Sequence, residues 1–393
     1  MTEATLHFPI SEYQRRIAKT RKAMQARNLD VILVSDPSNM EWLTGYNGWS
    51  FYVHQGVLLG FEGEPVWWGR GMDAKGAMRT AFMSHDNIVG YPDHYVQSTE
   101  RHPMEHLSKL IADRGWKDAR IGLEMDNYWF SAKAHTTLLK AFKPANLQDS
   151  TGLVNWQRSV KSDLEVAFIR KAAKITDAMH ARVFELVEPG LPKNVLVAEI
   201  QKQSILGADG NWGDYAAFVP MLPSGIDATA PHLTWDDRPF IKGEGTFFEL
   251  GGCYRRYHAP LSRTVYLGKP PQKFLDAEKA ALSATSAGLD AAMPGKTCGN
   301  VADAFFDELK RQGFEKDSRT GYSIGLSYPP DWGERTMSIR RGDTTVLEAN
   351  MTLHFMPALY LDYGGLELSE TILITPTGAE CLCQTPRKLV IKN

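Results

Sequence analysis

The sequence predicts an α/β (α+β) protein in two parts, a small N-terminal domain over residues 1–156 and a larger C-terminal domain over residues 157–393. Three observations predict it. Up to about residue 150, helical apolar periodicity alternates with short apolar runs of strand type. From Asn155 the texture changes, and a polar connector leads into long amphipathic stretches. Thr246–Gly268 then alternates and turns like a β-hairpin, followed by two helical segments and a run of strands. Helix pairs covering one face of a curved antiparallel sheet satisfy this order of elements.

In the first part, residues 11–28 read as a helix that Ser11 can cap, with Tyr13, Ile17 and Met24 on one face. Val31–Val34 has a buried-strand pattern, and Asp36-Pro37-Ser38-Asn39 reads as a turn. Val57–Phe61 and Val66–Trp68 form an apolar hairpin around Glu62-Gly63-Glu64. Between these lies a segment from Trp42 to Tyr52 that is dense in rings and broken by Gly45 and Gly48. Some of its rings fill the core, whereas Trp49, Phe51 and Tyr52 are expected to face a ligand or partner. A helix near 101–114 and a strand at Arg120–Leu123 complete the unit.

In the second part, Ser162 caps a helix with Leu164, Phe168, Ala172, Ile175, Met179 and Val183 inward. A helix after Pro192 is expected to turn Val195, Ala198 and Ile205 inward. Gly207–His232 is rich in Gly and Pro and reads as irregular. Phe247–Leu250 and Leu261–Leu267 are the hairpin strands, with Gly251-Gly252 as the expected turn. Helices follow at about 271–292 and 299–313, and strands at Val346, Thr352–Phe355 and Thr371–Thr375.

The composition, 43% apolar and 23% charged, is that of a soluble globular protein. A net charge of -2 with no basic run argues against a nucleic-acid partner. No apolar stretch approaches the ~20 residues that cross a bilayer. The N-terminus has no signal-peptide pattern, so the expected location is cytoplasmic. Cys253, Cys298, Cys381 and Cys383 are too few for a disulfide framework and read as free buried thiols. There is no internal repeat.

Glu249 stands inside the apolar run Phe247–Leu250, where a carboxylate is costly unless something pairs with it. It is therefore either the partner of a buried arginine, such as Arg263, or a site residue. His232 closes the irregular segment, and on its own, in a loop rich in Pro and Gly, it reads as structural or solvated.

The second part resembles the "pita-bread" family of methionine aminopeptidases, prolidases, Xaa-Pro aminopeptidases and creatinase. The resemblance is carried by RSVKSDLEVAFIRKAA, PSGIDATAPH, FELGGCYRRYHAPLSRTVYLG, GYSIGLSY, MTLHFMPALY and GLELSETILITPTGAECL, in the family's order. Tyr13–Gly45 resembles the N-terminal domain of the creatinase and prolidase branch. The resemblance implies a fold, and it also exposes departures. The family's peptidases hold two metal ions with two aspartates, a histidine and two glutamates. The matching positions here are Glu249, Pro260, Tyr322, Met356 and Ser369, with Glu370 next to the last. Proline offers no ligand atom and a thioether suits hard divalent ions poorly. The expectation is a metal-free branch with no cofactor, like creatinase.

Without a Lewis acid, a substrate that is already cationic at its reacting carbon remains plausible, an amidinium or guanidinium. Glu249 would stabilise that charge and then attack the carbon or activate a water, with His232 as proton shuttle. Trp49, Phe51, Tyr52, Tyr322 and Trp332 would supply an aromatic wall by cation–π contact. Arg255, Arg256, Arg263 and Arg340 are candidates for holding a substrate carboxylate, and Glu370 is expected beside the substrate. The resemblance further implies a homodimer whose small domain covers the partner's site. Three other readings remain open: a creatinase-like amidinohydrolase, a lyase on a zwitterionic sulfonium compound, and a catalytically inactive binding protein.

Overall fold

The computed structural model describes residues 4–393 and divides into two compact units after Arg158, just past the expected boundary at residue 156. The first unit holds a six-stranded sheet made of β1 (Val31–Val34), β2 (Gly56–Gly60), β3 (Val66–Arg70), β4 (Ile88–Tyr91), β5 (Ile121–Leu123) and β6 (Leu147–Asp149), in the order β4-β3-β2-β1-β5-β6. β1–β2 and β2–β3 pair antiparallel and the other neighbours parallel. Side chains alternate across a strand, so Ile32 and Val34 feed one apolar cluster while Val31 and Leu33 feed another. Both faces are therefore covered, which is why β1 is apolar throughout.

Two local elements differ from the sequence expectation. The first helix is Ile10–Ala26, with Pro9 rather than Ser11 at its N-terminal boundary. Asp36-Pro37-Ser38-Asn39 is not a turn but the start of a helix, Pro37–Thr44. The Asp36 carboxylate accepts from Ser38 N at 2.8 Å, and proline's fixed φ suits the first helical turn. Trp42 and Tyr46 are buried in the core, whereas Trp49 and Tyr52 are exposed.

The second unit opens with a helix at Asp163–Leu186, where Ser162 and Glu165 close a capping box. It lies on a long hairpin, β7 (Gly245–Tyr254) with β8 (Tyr257–Leu267). Tyr254 pairs with Tyr257, so the turn is Arg255-Arg256 and not Gly251-Gly252. Both arginines have positive φ, 47° and 66°, as the tight turns that match strand twist require. Non-glycine residues there cost about 1–2 kcal/mol each. The Arg256 guanidinium offsets this by stacking 3.7 Å from the Tyr215 ring centre and donating to Ser327 O at 2.8 Å.

The two glycines have another purpose, which is close approach. A Cβ on Gly252 would lie 2.5 Å from Ala172 O and 2.7 Å from Thr176 N of the helix above. One on Gly251 would lie 2.7 Å from the Trp332 ring. Gly252→Ala is expected to push the helix off the hairpin and cost ~1–3 kcal/mol, as overpacking does. Urea denaturation measures this, and wild-type stability would mean that the helix slides freely on the strand.

Helices Lys193–Leu206, Gln272–Ala291 and Cys298–Arg311 stand where expected. The first buries Leu196, Val197 and Ile200, while Val195, Ala198 and Ile205 are exposed, and Leu164 is exposed on the earlier helix. In Asn194–Ile200 apolar residues run almost consecutively, so spacing left the buried face ambiguous.

The remaining strands are β9 (Gly321–Ile324), β10 (Gly333–Ser338), β11 (Thr352–Phe355), β12 (Ala358–Leu361), β13 (Gly364–Glu367), β14 (Glu370–Thr375), β15 (Gly378–Cys381) and β16 (Val390–Lys392). β10-β9-β11-β14-β15 form one antiparallel sheet, β12-β13 a ribbon, and β16 adds parallel to β8. Val346 makes only an isolated bridge. The four cysteines are free thiols, three of them buried and Cys381 half-buried. Among the described residues no helix is long and apolar enough to cross a membrane.

Candidate active site

β7, β9 and the loops before β7 and after β11 converge on a cavity of about 400 Å³ in the second unit. Glu249, His232, Tyr322 and Trp332 all line it, together with Phe218, Pro231, Ser318, Arg319, Asp331, Met356 and Tyr360. Strand alternation explains why Glu249 is there and Arg263 is not. Glu249 pairs with Ser262 and Phe248 with Arg263, so the carboxyl and the guanidinium leave the hairpin on opposite faces.

Arg263 is corrected as a substrate contact, and Glu370 with it. The buried guanidinium donates to the carbonyls of Ser262, Ser369, Thr385 and Pro386 and to Glu370 Oε1 at 2.7 Å. That commits all five of its N–H groups. Glu370 also accepts from Arg387 Nε at 2.7 Å. This cluster fastens the C-terminal segment to the hairpin. Arg255 lies over the Phe168 and Tyr254 rings, Arg256 is stacked as described, and Arg340 bonds Ser338 Oγ at 3.3 Å. None of the four lines the cavity; Arg319 does.

Glu249 has no hydrogen-bond donor for its carboxyl among the described residues, although its backbone is paired to Met221 on both sides. Burial, then the nearby Glu367 and Asp331 carboxylates, hold it well above the usual carboxylate range. Glu367 is itself raised by burial, but the Tyr360 hydroxyl donates to its Oε1 at 2.5 Å and the Lys316 charge also acts against the shift. Of the two carboxyls, Glu367 therefore holds negative charge more readily, which keeps the proton on Glu249. Burial likewise lowers Lys316 to about 8. Glu249 is thus a neutral carboxyl in the free site, one that can ionise against a cation entering the cavity.

His232 is exposed at the lip of the cavity, its ring edge-on to Phe218 at 6.4 Å. Trp49, Phe51 and Tyr52 belong to the first unit and do not line this cavity. Phe51 and Tyr52 instead border a cavity of about 380 Å³ in that unit, with Tyr91, Tyr95, Tyr128 and Trp129.

The positions that hold metal in the resembled peptidases do not fit one here. Tyr322 Oη is 2.8 Å from Trp332 Nε1 and 3.0 Å from His354 Nδ1, and Ser369 Oγ is 2.7 Å from His354 Nε2 and 2.7 Å from Ser262 N. The hydroxyls are engaged with one another's neighbours, Pro260 and Met356 offer nothing suited to a hard ion, and Glu249 is the only carboxylate among the five. Among the described residues no group of three or more His, Cys, Asp or Glu stands in ligating proximity.

Sequence reasoning missed Arg319, Asp331, Tyr360, Glu367 and His354. Only Arg319 carried a local signal, since it stands three residues before Tyr322 at the edge of the same strand.

Comparison with known proteins agrees with this architecture. The profile of metallopeptidase family M24 matches residues 167–376, and that of the creatinase/prolidase N-terminal domain matches residues 16–160. The chain is 54% identical to ectoine hydrolase of Halomonas elongata over 399 aligned residues, covering 100% of both. It is 39% identical to an uncharacterised hydrolase/peptidase of Sinorhizobium fredii, covering 99% of each. The dipeptidase PepE of Mycobacterium ulcerans superposes with a TM-score of 0.82 at 22% identity, over 98% of this chain and 99% of that one. The chain belongs to metallopeptidase family M24, a family of hydrolases, and carries a creatinase/prolidase N-terminal domain ahead of the M24 unit.

Proposed function

We propose that this protein is a cytoplasmic ectoine hydrolase that opens the cyclic amidine ring of ectoine, and of hydroxyectoine, to N-acetyl-2,4-diaminobutyrate without a metal. The observation that carries the reading is Glu249, a buried carboxyl that faces a cavity and has no side-chain partner among the described residues. An amidinium supplies the positive charge against which Glu249 ionises. Trp332, Tyr322 and Phe218 give it aromatic faces. Identity of 54% over the full length to a protein named ectoine hydrolase supports the same substrate. Glu249 attacks the amidinium carbon or deprotonates the attacking water, and His232 exchanges protons with solvent from the lip. The reading is tested by mixing purified protein with ectoine and, separately, with creatine, and following products by NMR. Ectoine is opened and creatine is not; the reverse would identify an amidinohydrolase, and inertness toward both a binding protein.

Ectoine also bears a carboxylate, and Arg319 is the cation placed to receive it. Its guanidinium lies 4.5 Å from the Tyr322 ring centre and donates to Ser338 Oγ at 2.9 Å, which holds it at the mouth. Arg319→Ala is expected to raise KM ~10-fold or more while leaving kcat within a few-fold, since a hydrogen bond to a charged group contributes about 1.5–3 kcal/mol. An unchanged KM would place the carboxylate elsewhere.

The raised Glu249 predicts proton linkage. Below its raised pKa the free enzyme carries a neutral carboxyl, whereas a bound cation favours the carboxylate. Binding therefore releases a proton, and affinity rises with pH until Glu249 ionises in the free enzyme. Calorimetry in two buffers of different ionisation enthalpy measures the release; none would mean that Glu249 is already charged.

The protein works as a homodimer, in which Trp49, Phe51 and Tyr52 close the partner's cavity. Mixing a Trp49→Ala/Phe51→Ala chain with a Glu249→Gln chain then restores some activity, because one site in each heterodimer keeps both elements. No recovery in verified heterodimers would mean that the loop serves its own chain.

A further inference from the structure

We infer that Tyr322 is the proton donor to the departing ring nitrogen, aimed by a hydrogen-bonded chain through His354 and Ser369 that stands where the family's peptidases hold metal. The inference rests on the ring-opening reading above. It follows from which atoms can donate.

The indole N–H of Trp332 is a donor only, so Tyr322 Oη accepts from it at 2.8 Å. At the far end, Ser369 Oγ accepts from the backbone N–H of Ser262 at 2.7 Å. Among the described residues the one other group hydrogen-bonded to the Ser369 hydroxyl is His354 Nε2 at 2.7 Å. A buried hydroxyl proton needs an acceptor, so Ser369 donates to Nε2. His354 is fully buried and held to about 3 by that burial and by Arg319, so it is neutral. Its single proton is then on Nδ1, which donates to Tyr322 Oη at 3.0 Å. Reversing the chain would strand the Ser369 proton.

Tyr322 Oη thus accepts twice, from Trp332 and from His354. Its own proton has no protein acceptor among the described residues and is left for the cavity, which Tyr322 lines together with Glu249. Burial and the Glu249 charge raise the phenol well above 10, so it enters the reaction protonated. The two donors are fixed in place to stabilise the phenolate that forms.

In the water route the chemistry balances. Glu249 takes a proton from water, whose oxygen bonds to the amidinium carbon, and the C=N π pair moves onto a ring nitrogen. When that carbon–nitrogen bond breaks, its electron pair leaves with the nitrogen, which takes the Tyr322 proton. The adduct hydroxyl becomes the amide carbonyl and returns its proton to the phenolate. The proton held by Glu249 passes to the amine, so amidinium and water become amide and ammonium with no redox change.

Phenylalanine keeps the ring and removes the donor, which separates this role from an aromatic wall. Ectoine turnover by the wild-type protein is measured first; if it fails, the ring-opening reading fails and not the assignment of the donor. Given an active wild type, Tyr322→Phe is expected to lower kcat by ~10²–10⁴ with KM within a few-fold. Near-normal kcat in a folded Tyr322→Phe protein would overturn the inference. His354 is a positioning residue, tested by a double-mutant cycle. His354→Gln should lower kcat alone and cost nothing further in the Tyr322→Phe background, whereas equal losses in both backgrounds would overturn its coupling to Tyr322. Should His354→Gln not fold, Ser369→Ala takes its place in the cycle with the same two outcomes.

Discussion

Glu249→Gln is expected to lose at least ~10³-fold in kcat and most of the affinity for a cyclic amidinium, because it removes both the charge and the nucleophile or base. The variant keeps the shape of the side chain in a cavity where nothing else is poised to replace it. Asp331 shares the cavity, but one of its oxygens is held by Gly333 N at 2.9 Å. Glu367 is fully buried behind Tyr360, which holds its Oε1. Glu249→Asp retains the charge and draws it back by one bond. It is expected to bind but turn over ~10²-fold slower, the cost of a misplacement near 1 Å. Steady-state kinetics with both variants checks this, and a fully active glutamine variant would remove Glu249 from the chemistry. Acid-quenched single turnovers of the wild type separate the two routes. An added mass on the peptide containing Glu249 indicates direct attack, and its absence at every time point indicates an activated water.

The largest stability effect is expected at Lys161. Its ammonium lies 2.6 Å from Glu334 Oε2, and both side chains are 1% exposed. Lys161 N also donates to Asn350 O at 2.9 Å, so the pair pins the entrance of the second unit to its sheet. Taking two charges out of water is costly, and the pair is not itself a large gain over apolar residues. Removing one partner is different, because the other keeps the cost of its burial and loses a close ion pair. Lys161→Met is expected to destabilise by ~3–5 kcal/mol, whereas Lys161→Met with Glu334→Leu should recover much of that loss. Urea denaturation of the single and double variants measures both. A single variant within ~1 kcal/mol of wild type would mean that the surroundings of Glu334 satisfy it without the ammonium.

Much of the architecture was legible because it is written locally. Ser162 and Glu165 cap their helix within three residues, and β7 and β8 announce themselves by alternation. The misread elements share a cause. Gly251-Gly252 looked like a turn because glycine marks both turns and close approaches, and only the packed helix and Trp332 distinguish them. Asp36-Pro37 serves a turn and a helix start equally well, and the tertiary setting chose the helix.

The site divides the same way. Glu249, His232, Tyr322 and Trp332 were singled out from motifs, and they line one cavity. Arg263 and Glu370 carried the same kind of signal yet meet each other, because strand alternation turns Arg263 away from Glu249. Glu367, His354 and Arg319 matter through partners far away in sequence, which no spacing reveals. His354 reads as one apolar-strand residue among others until Tyr322 and Ser369 appear on either side of it.

The most direct measurement is the rate of ectoine hydrolysis by enzyme stripped with chelator, its metal content read by elemental analysis and product followed by NMR. Ring opening at the untreated rate is expected, with transition metal far below one atom per chain. Activity that disappears on stripping and returns with a divalent ion would contradict it, because Glu249, Tyr322 and His354 would then be serving a metal rather than replacing one.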